Sequence, residues 1–129
     1  MMDMRMYSIL LLAAALASGQ GRLRPPENVG CDRNQLTSYQ GEVKSYSRTA
    51  RQITLAIHTD ENTNERVVLS RSGRQTFESR FLWNGEKFEA KHWKDLEESP
   101  EKLRPGIRVI AWVCTGGGAP LLDWRPAPR

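Results

Sequence analysis

From Tyr39 onward, apolar and polar residues alternate with a period of two, the repeat of a strand with one buried face. Residues 52–58 show it best: Ile53, Leu55 and Ile57 fall on one side, Thr54, Ala56 and His58 on the other. Before them, residues 41–47 carry Val43 among polar neighbours and predict a first strand. The polar run of Asp60, Glu61, Asn62, Thr63 and Asn64 bends the backbone rather than packing. Residues 65–70 then return as a third strand through Val67, Val68 and Leu69. The three form a meander.

The middle of the chain breaks this rhythm. Phe81, Leu82 and Trp83 precede Asn84-Gly85, the dipeptide favoured in two-residue hairpins because both residues tolerate positive φ, and Phe88 follows. Residues 90–98, with Trp93 and Leu96 three apart, predict a short helix that stops before Pro100. Pro105-Gly106 has the order a type II turn requires. Residues 107–114 then alternate with apolar residues on both sides: Ile107, Val109, Ala111 and Val113 against Ile110, Trp112 and Cys114. Such a strand is covered on both faces. Gly116, Gly117 and Gly118 cannot hold a regular element, and residues 121–124 make a last short strand.

Three strands, an interval with a short helix, then two strands is the order of an OB-fold. The expected fold is mainly β, a small OB-like barrel of five to seven strands with one short helix. The stretch Leu103-Arg104-Pro105-Gly106-Ile107-Arg108-Val109 resembles the L-x-P-G-x-x-V entry into the fourth strand of small exported bacterial barrel domains of unknown function. Gly41-Glu42-Val43 resembles their first strand. The resemblance spans about Tyr39 to Trp124 and implies a fold and a compartment; it carries no catalytic residues.

The other end of the chain changes the picture. Arg5 precedes an apolar run from Ile9 to Leu16, and Ala15-Leu16-Ala17 offers small residues at alternate positions. These are the marks of a cleaved export signal, and the run is too short to span a bilayer. The expected layout is a signal peptide over residues 1–17, an extended arm over 18–38 with Pro25-Pro26, a barrel over 39–125 and a tail over 126–129. The expected location is secreted or periplasmic, with no membrane span after processing. Net charge is +4, and the leader holds one base and one acid, so cleavage leaves it unchanged. That excess favours anionic surfaces without naming a partner.

Outside the cytoplasm an even cysteine count predicts a bridge. The chain has Cys 2, namely Cys31 and Cys114. Closing so long a loop stabilises by roughly 4.5 kcal/mol on chain entropy.

Candidate chemistry is sparse. His58, Asp60 and His92 are the residues from which a metal-assisted hydrolytic enzyme would be built, yet no HExxH, paired CxxC or calcium-loop pattern surrounds them. There is no G-x-S-x-G elbow, and Glu97-Glu98 read as solvated acids that point apart. No cofactor, metal or catalytic residue is expected. The candidate binding surface is the first hairpin, with Lys44, Arg48 and Arg51 beside Tyr39 and Tyr46, together with the loop of Gly116, Gly117 and Gly118. Such mixtures track anionic polymers, and export argues against nucleic acid. The expected function is a non-catalytic binding module of the cell envelope, its partner a protein, an envelope component or an anionic polymer or carbohydrate.

Overall fold

The computed structural model describes residues 24–126. Its first three strands are β1 (Leu36–Arg48), β2 (Gln52–Thr59) and β3 (Asn64–Ser70). After a 3-10 turn at Phe77–Arg80 come the small hairpin β4 (Phe81–Trp83) and β5 (Glu86–Lys87), then helix α1 (Trp93–Leu96). A second hairpin, β6 (Glu97–Ser99) and β7 (Lys102–Leu103), precedes β8 (Arg108–Cys114) and β9 (Leu121–Arg125). The protein is mainly β, as its alternation requires. The expected leader, residues 1–17, lies outside the described residues.

β1 is long because it serves two neighbours. Residues 36–42 pair antiparallel with β8, and residues 41–48 with β2. Gly41 stands at the changeover, and a Cβ there would lie 2.1 Å from the His58 carbonyl oxygen. Only glycine lets the two backbones approach so closely. The main sheet runs β3-β2-β1-β8-β9-β4-β5, with β6-β7 separate. The β4–β9 pairing is parallel. Among the described residues no pairing joins β3 to β5, so the sheet is not closed into a barrel by hydrogen bonds.

Strands from both ends of that order nevertheless share one core. Ile53, Leu55, Val67, Leu69, Phe81, Val109, Leu122 and Trp124 belong to a single buried cluster, plugged by Phe77, Phe88 and Leu96. The sheet therefore curls around its apolar face. Ile110, Trp112 and Leu121 lie on the opposite face of β8 and β9, under Val29 and Leu36. This is why β8 is apolar on both sides.

Val29 belongs to the arm that precedes β1. Cys31 and Cys114 are joined, with Cα atoms 6.0 Å apart, and Thr115 N–H donates to the Gln35 carbonyl at 2.7 Å. The half-buried Arg80 donates to the carbonyls of Asn28 at 2.9 Å, Ala119 at 3.1 Å and Pro120 at 3.2 Å. One guanidinium thus ties the arm to the loop before β9. Burial pulls its pKa down.

Three sequence expectations change. β1 begins at Leu36, inside the expected arm, because its first half is needed to pair with β8. The helix expected over 90–98 is a 3-10 turn at Ala90–His92 followed by the single turn of α1, and Glu97 to Ser99 are strand. The main sheet has seven strands, the upper end of the expected number, but it is open. The Asn84-Gly85 turn is as expected, with φ of 52° and 82°. No helix among the described residues is long and apolar enough to cross a membrane.

Candidate functional site: a groove over Glu97

The site begins with an irregularity in β1. Val43 faces Ile57 and Ser45 faces Ala56, so Lys44 is an extra residue without a partner. A bulge shifts the alternation by one position. Before it, Tyr39, Gly41 and Val43 face inward; after it, Tyr46 and Arg48 do, opposite Leu55 and Ile53. An arginine and a tyrosine are thereby turned toward the core.

Glu97 meets them there. It follows α1 and the preceding 3-10 turn at Ala90–His92, and the entry to that turn is fixed by a reciprocal cap in which the Glu89 side chain accepts from the His92 backbone and His92 Nδ1 accepts the Glu89 N–H at 2.9 Å. Leu96 is fully buried and sets the direction of the next residue. Arg48 donates to Glu97 through Nε at 2.7 Å and Nη2 at 2.8 Å. The Tyr46 hydroxyl and the Glu101 N–H donate to the same carboxylate. The side chains of Arg48 and Glu97 are 23% and 6% exposed, so this two-pronged pair is shielded from water.

Titration follows from that geometry. Burial pushes the Glu97 carboxyl up, but the hydrogen bonds from Arg48, Tyr46 and Glu101 outweigh it and hold it below the usual carboxylate range. Burial, and then the Glu97 hydrogen bond and charge, push the Tyr46 phenol far above its ordinary value. The bond to Glu97 raises Arg48 further. All three stay in one charge state across physiological pH.

Above them lies an open groove of about 680 Å³. Its walls include Arg48, Arg71, Phe77, Trp93, Lys94 and Glu98. The Arg48 guanidinium sits 5.1 Å from the centre of the Trp93 ring, and that of Arg71 sits 5.7 Å from Phe77, both within cation–π range. Trp93 Nε1 donates to Glu78 at 2.7 Å. Trp93 also meets Phe81 and Phe88 edge-on. Glu98 pairs with Lys102 at 3.1 Å. Arg71 and Lys94 have no ion-pair partner among the described residues.

The sequence-predicted surface is divided by the structure. Arg48 is in the groove and Tyr46 beneath it. Arg51 stands exposed in the adjoining turn, its carbonyl accepting the Arg71 N–H at 2.8 Å. Lys44 points outward and pairs with Glu42 at 3.3 Å, so Lys44, Arg48 and Arg51 do not form one basic face. Tyr39 lines a second recess of about 670 Å³ with Asp60, Glu61 and Glu65. Gly116, Gly117 and Gly118 lie at the opposite end of β1, where Gly116 is beside Gln35. The first hairpin and that loop are separated by the length of the strand, on the order of 40 Å of extended chain. They are not one surface.

The histidines also stay apart. His58 Nδ1 bonds Asn64 at 3.0 Å, Asp60 pairs with Arg108 at 2.5 Å, and His92 stacks on Trp83 with ring centres 4.7 Å apart. Among the described residues no group of His, Cys, Asp and Glu is placed to hold a metal ion. Sequence reasoning missed Glu97, Trp93, Phe77 and Arg71. One signal was available: Val43 and Tyr46 are the large apolar residues of β1's second half, and an odd spacing between them announces a bulge.

Compared with known proteins, the chain matches no family model, no curated protein and no solved structure.

Proposed function

We propose that this chain is an exported, non-catalytic binding module of the cell envelope, built on an OB-like sheet, with the groove over Glu97 as its binding site. The carrying observation is how Glu97 is used. Its carboxylate accepts four hydrogen bonds, from Tyr46, from two nitrogens of Arg48 and from Glu101. A carboxylate has about four acceptor positions, so none remains for moving a proton or holding a metal. The most buried ionisable groups of the groove support its shape, while Arg71 and Lys94 on its rim have no ion-pair partner among the described residues.

Strand order supports the OB-like reading. β3-β2-β1-β8-β9 is the antiparallel order expected of the five principal strands, and the groove takes in the β1–β2 turn through Ala50. OB-folds use that turn and the neighbouring strand face to grip linear polymers. The Cys31–Cys114 bridge supports an oxidising compartment. The alternative built on His58, Asp60 and His92 gains nothing from a structure in which each has a different partner.

The test is retention of the purified mature protein on washed envelope fragments. The double variant Arg71→Ser/Lys94→Ser should lose at least tenfold in retention while its circular dichroism is unchanged. Equal retention of the variant and the parent would overturn the groove as the binding site.

A further inference from the structure

We infer that the groove over Glu97 recognises an acidic glycan whose carboxylates alternate with hydroxyl-rich stretches, a uronate-bearing polysaccharide segment. This rests on the binding role proposed above and assigns its ligand class. Three features of the groove carry it.

Each of the two groove-lining aromatic rings already carries a guanidinium. Arg48 lies on Trp93 and Arg71 on Phe77, and Phe81 and Phe88 pack edge-on against Trp93. Nucleobases bind open aromatic faces by stacking, and here a guanidinium competes for each of the two groove-lining rings. The rings instead hold the two guanidinium groups in place.

The rim carries both signs in a defined arrangement. Arg71 and Lys94 are cations without an ion-pair partner among the described residues. Glu78 accepts the Trp93 indole N–H through Oε2, which leaves its other oxygen to accept from a ligand. Thr76 and Ser99 add hydroxyls to the lining. A chain with a phosphate at every unit would bring charge against Glu78 and Glu98, and like charges repel. A polymer that presents carboxylates to Arg71 and Lys94 and hydroxyls to Glu78, Thr76 and Ser99 satisfies both signs.

The groove is open to solvent rather than an enclosed chamber. A chain can therefore lie across it without an end being recognised. Arg71 is the anion-binding residue in this assignment, and Arg48, with Nε and Nη2 both on Glu97, is a positioning residue.

The experiment is calorimetric titration of the mature protein with oligohyaluronate, which bears a carboxylate on every second sugar, its methyl ester, polyphosphate and oligo-dT at one ionic strength. Oligohyaluronate should bind, the methyl ester at least tenfold more weakly, and polyphosphate and oligo-dT more weakly than oligohyaluronate. Arg71→Ser should reduce oligohyaluronate affinity at least tenfold, and Lys44→Ser, outside the groove, should leave it unchanged. Equal binding of acid and ester, or tighter binding of polyphosphate or oligo-dT, overturns the ligand class. Loss of all binding to these probes, with envelope retention still dependent on Arg71 and Lys94, overturns the glycan assignment alone. Absence of both overturns the binding role as well.

Discussion

Arg48 and Glu97 stand forty-nine residues apart in sequence and meet in a two-pronged ion pair, Nε at 2.7 Å and Nη2 at 2.8 Å. The pair joins the end of β1 to the start of β6, two elements that belong to different sheets. It also sets the guanidinium on Trp93. Together with the Tyr46 hydroxyl on the same carboxylate and the burial of Leu96, it holds the α1–β6 segment against the main sheet and gives the groove its floor.

Removing one partner leaves the other charge shielded from water without a counterion. Arg48→Met and Glu97→Gln should each destabilise the fold by about 3 kcal/mol. The double variant should lose less than the sum of the two, and urea unfolding of all four proteins measures the coupling. Additive losses would mean that the pair acts as two independent side chains.

Acid and base should act on this cluster in opposite ways. The folded Glu97 carboxyl lies below its unfolded value of about 4.3, so its contribution is complete above that pH and fades as pH falls through the folded value. The Tyr46 phenol lies above its unfolded value of about 10. Its contribution is complete below pH of about 10 and fades as pH rises toward the folded value. Glu97→Gln should flatten the acid limb of the stability profile and Tyr46→Phe the alkaline limb. Unfolding midpoints between about pH 3 and pH 11 check both.

Two glycines should answer alanine very differently. At Gly41 the new methyl would meet the His58 carbonyl oxygen at 2.1 Å, whereas at Gly116 the nearest atom is the end of the Gln35 side chain at 4.0 Å. Gly41→Ala must push β1 and β2 apart and should cost about 3 kcal/mol, at the upper end of overpacking losses. Gly116→Ala should change the thermal midpoint hardly at all. Similar midpoints for the two would contradict the close approach at Gly41.

The arm should depend on its bridge more than the core does. Cys31→Ser/Cys114→Ser removes the link that holds Val29 over Ile110, Trp112 and Leu121. Stability should fall by up to about 4 kcal/mol, and trypsin should cleave after Arg33 much faster than in the parent. The main core, with the fully buried Trp124, should keep its near-ultraviolet dichroism at low temperature. Unchanged cleavage would show that Arg80 alone secures the arm.

Much of the sheet is legible in the sequence because strand alternation there is strict. Ile53, Leu55 and Ile57 are buried as their spacing requires, and the two apolar sides of β8 go to two separate clusters. What alternation cannot convey is partnership across distance. Glu97 reads as a solvated acid because Glu98 and Ser99 follow it; the residues that bury it, Tyr46 and Arg48, lie in a strand whose phase has slipped. Cys31 and Cys114 are easier to foresee, since two cysteines admit one pairing. The proposed binding surface is the least legible part. Lys44, Arg48 and Arg51 look alike in composition, and only the bulge decides which of them faces inward.

That bulge makes Lys44 a spacer in a strand that would keep its facing without it. Exchanging Lys44 for another side chain alters a solvent-facing position, and deleting it would leave Val43, Tyr46 and Arg48 in strict alternation on the inward side. A single codon lost at this point would therefore spare the groove floor, whereas one lost between Tyr46 and Arg48 would set those two side chains on opposite faces of the sheet.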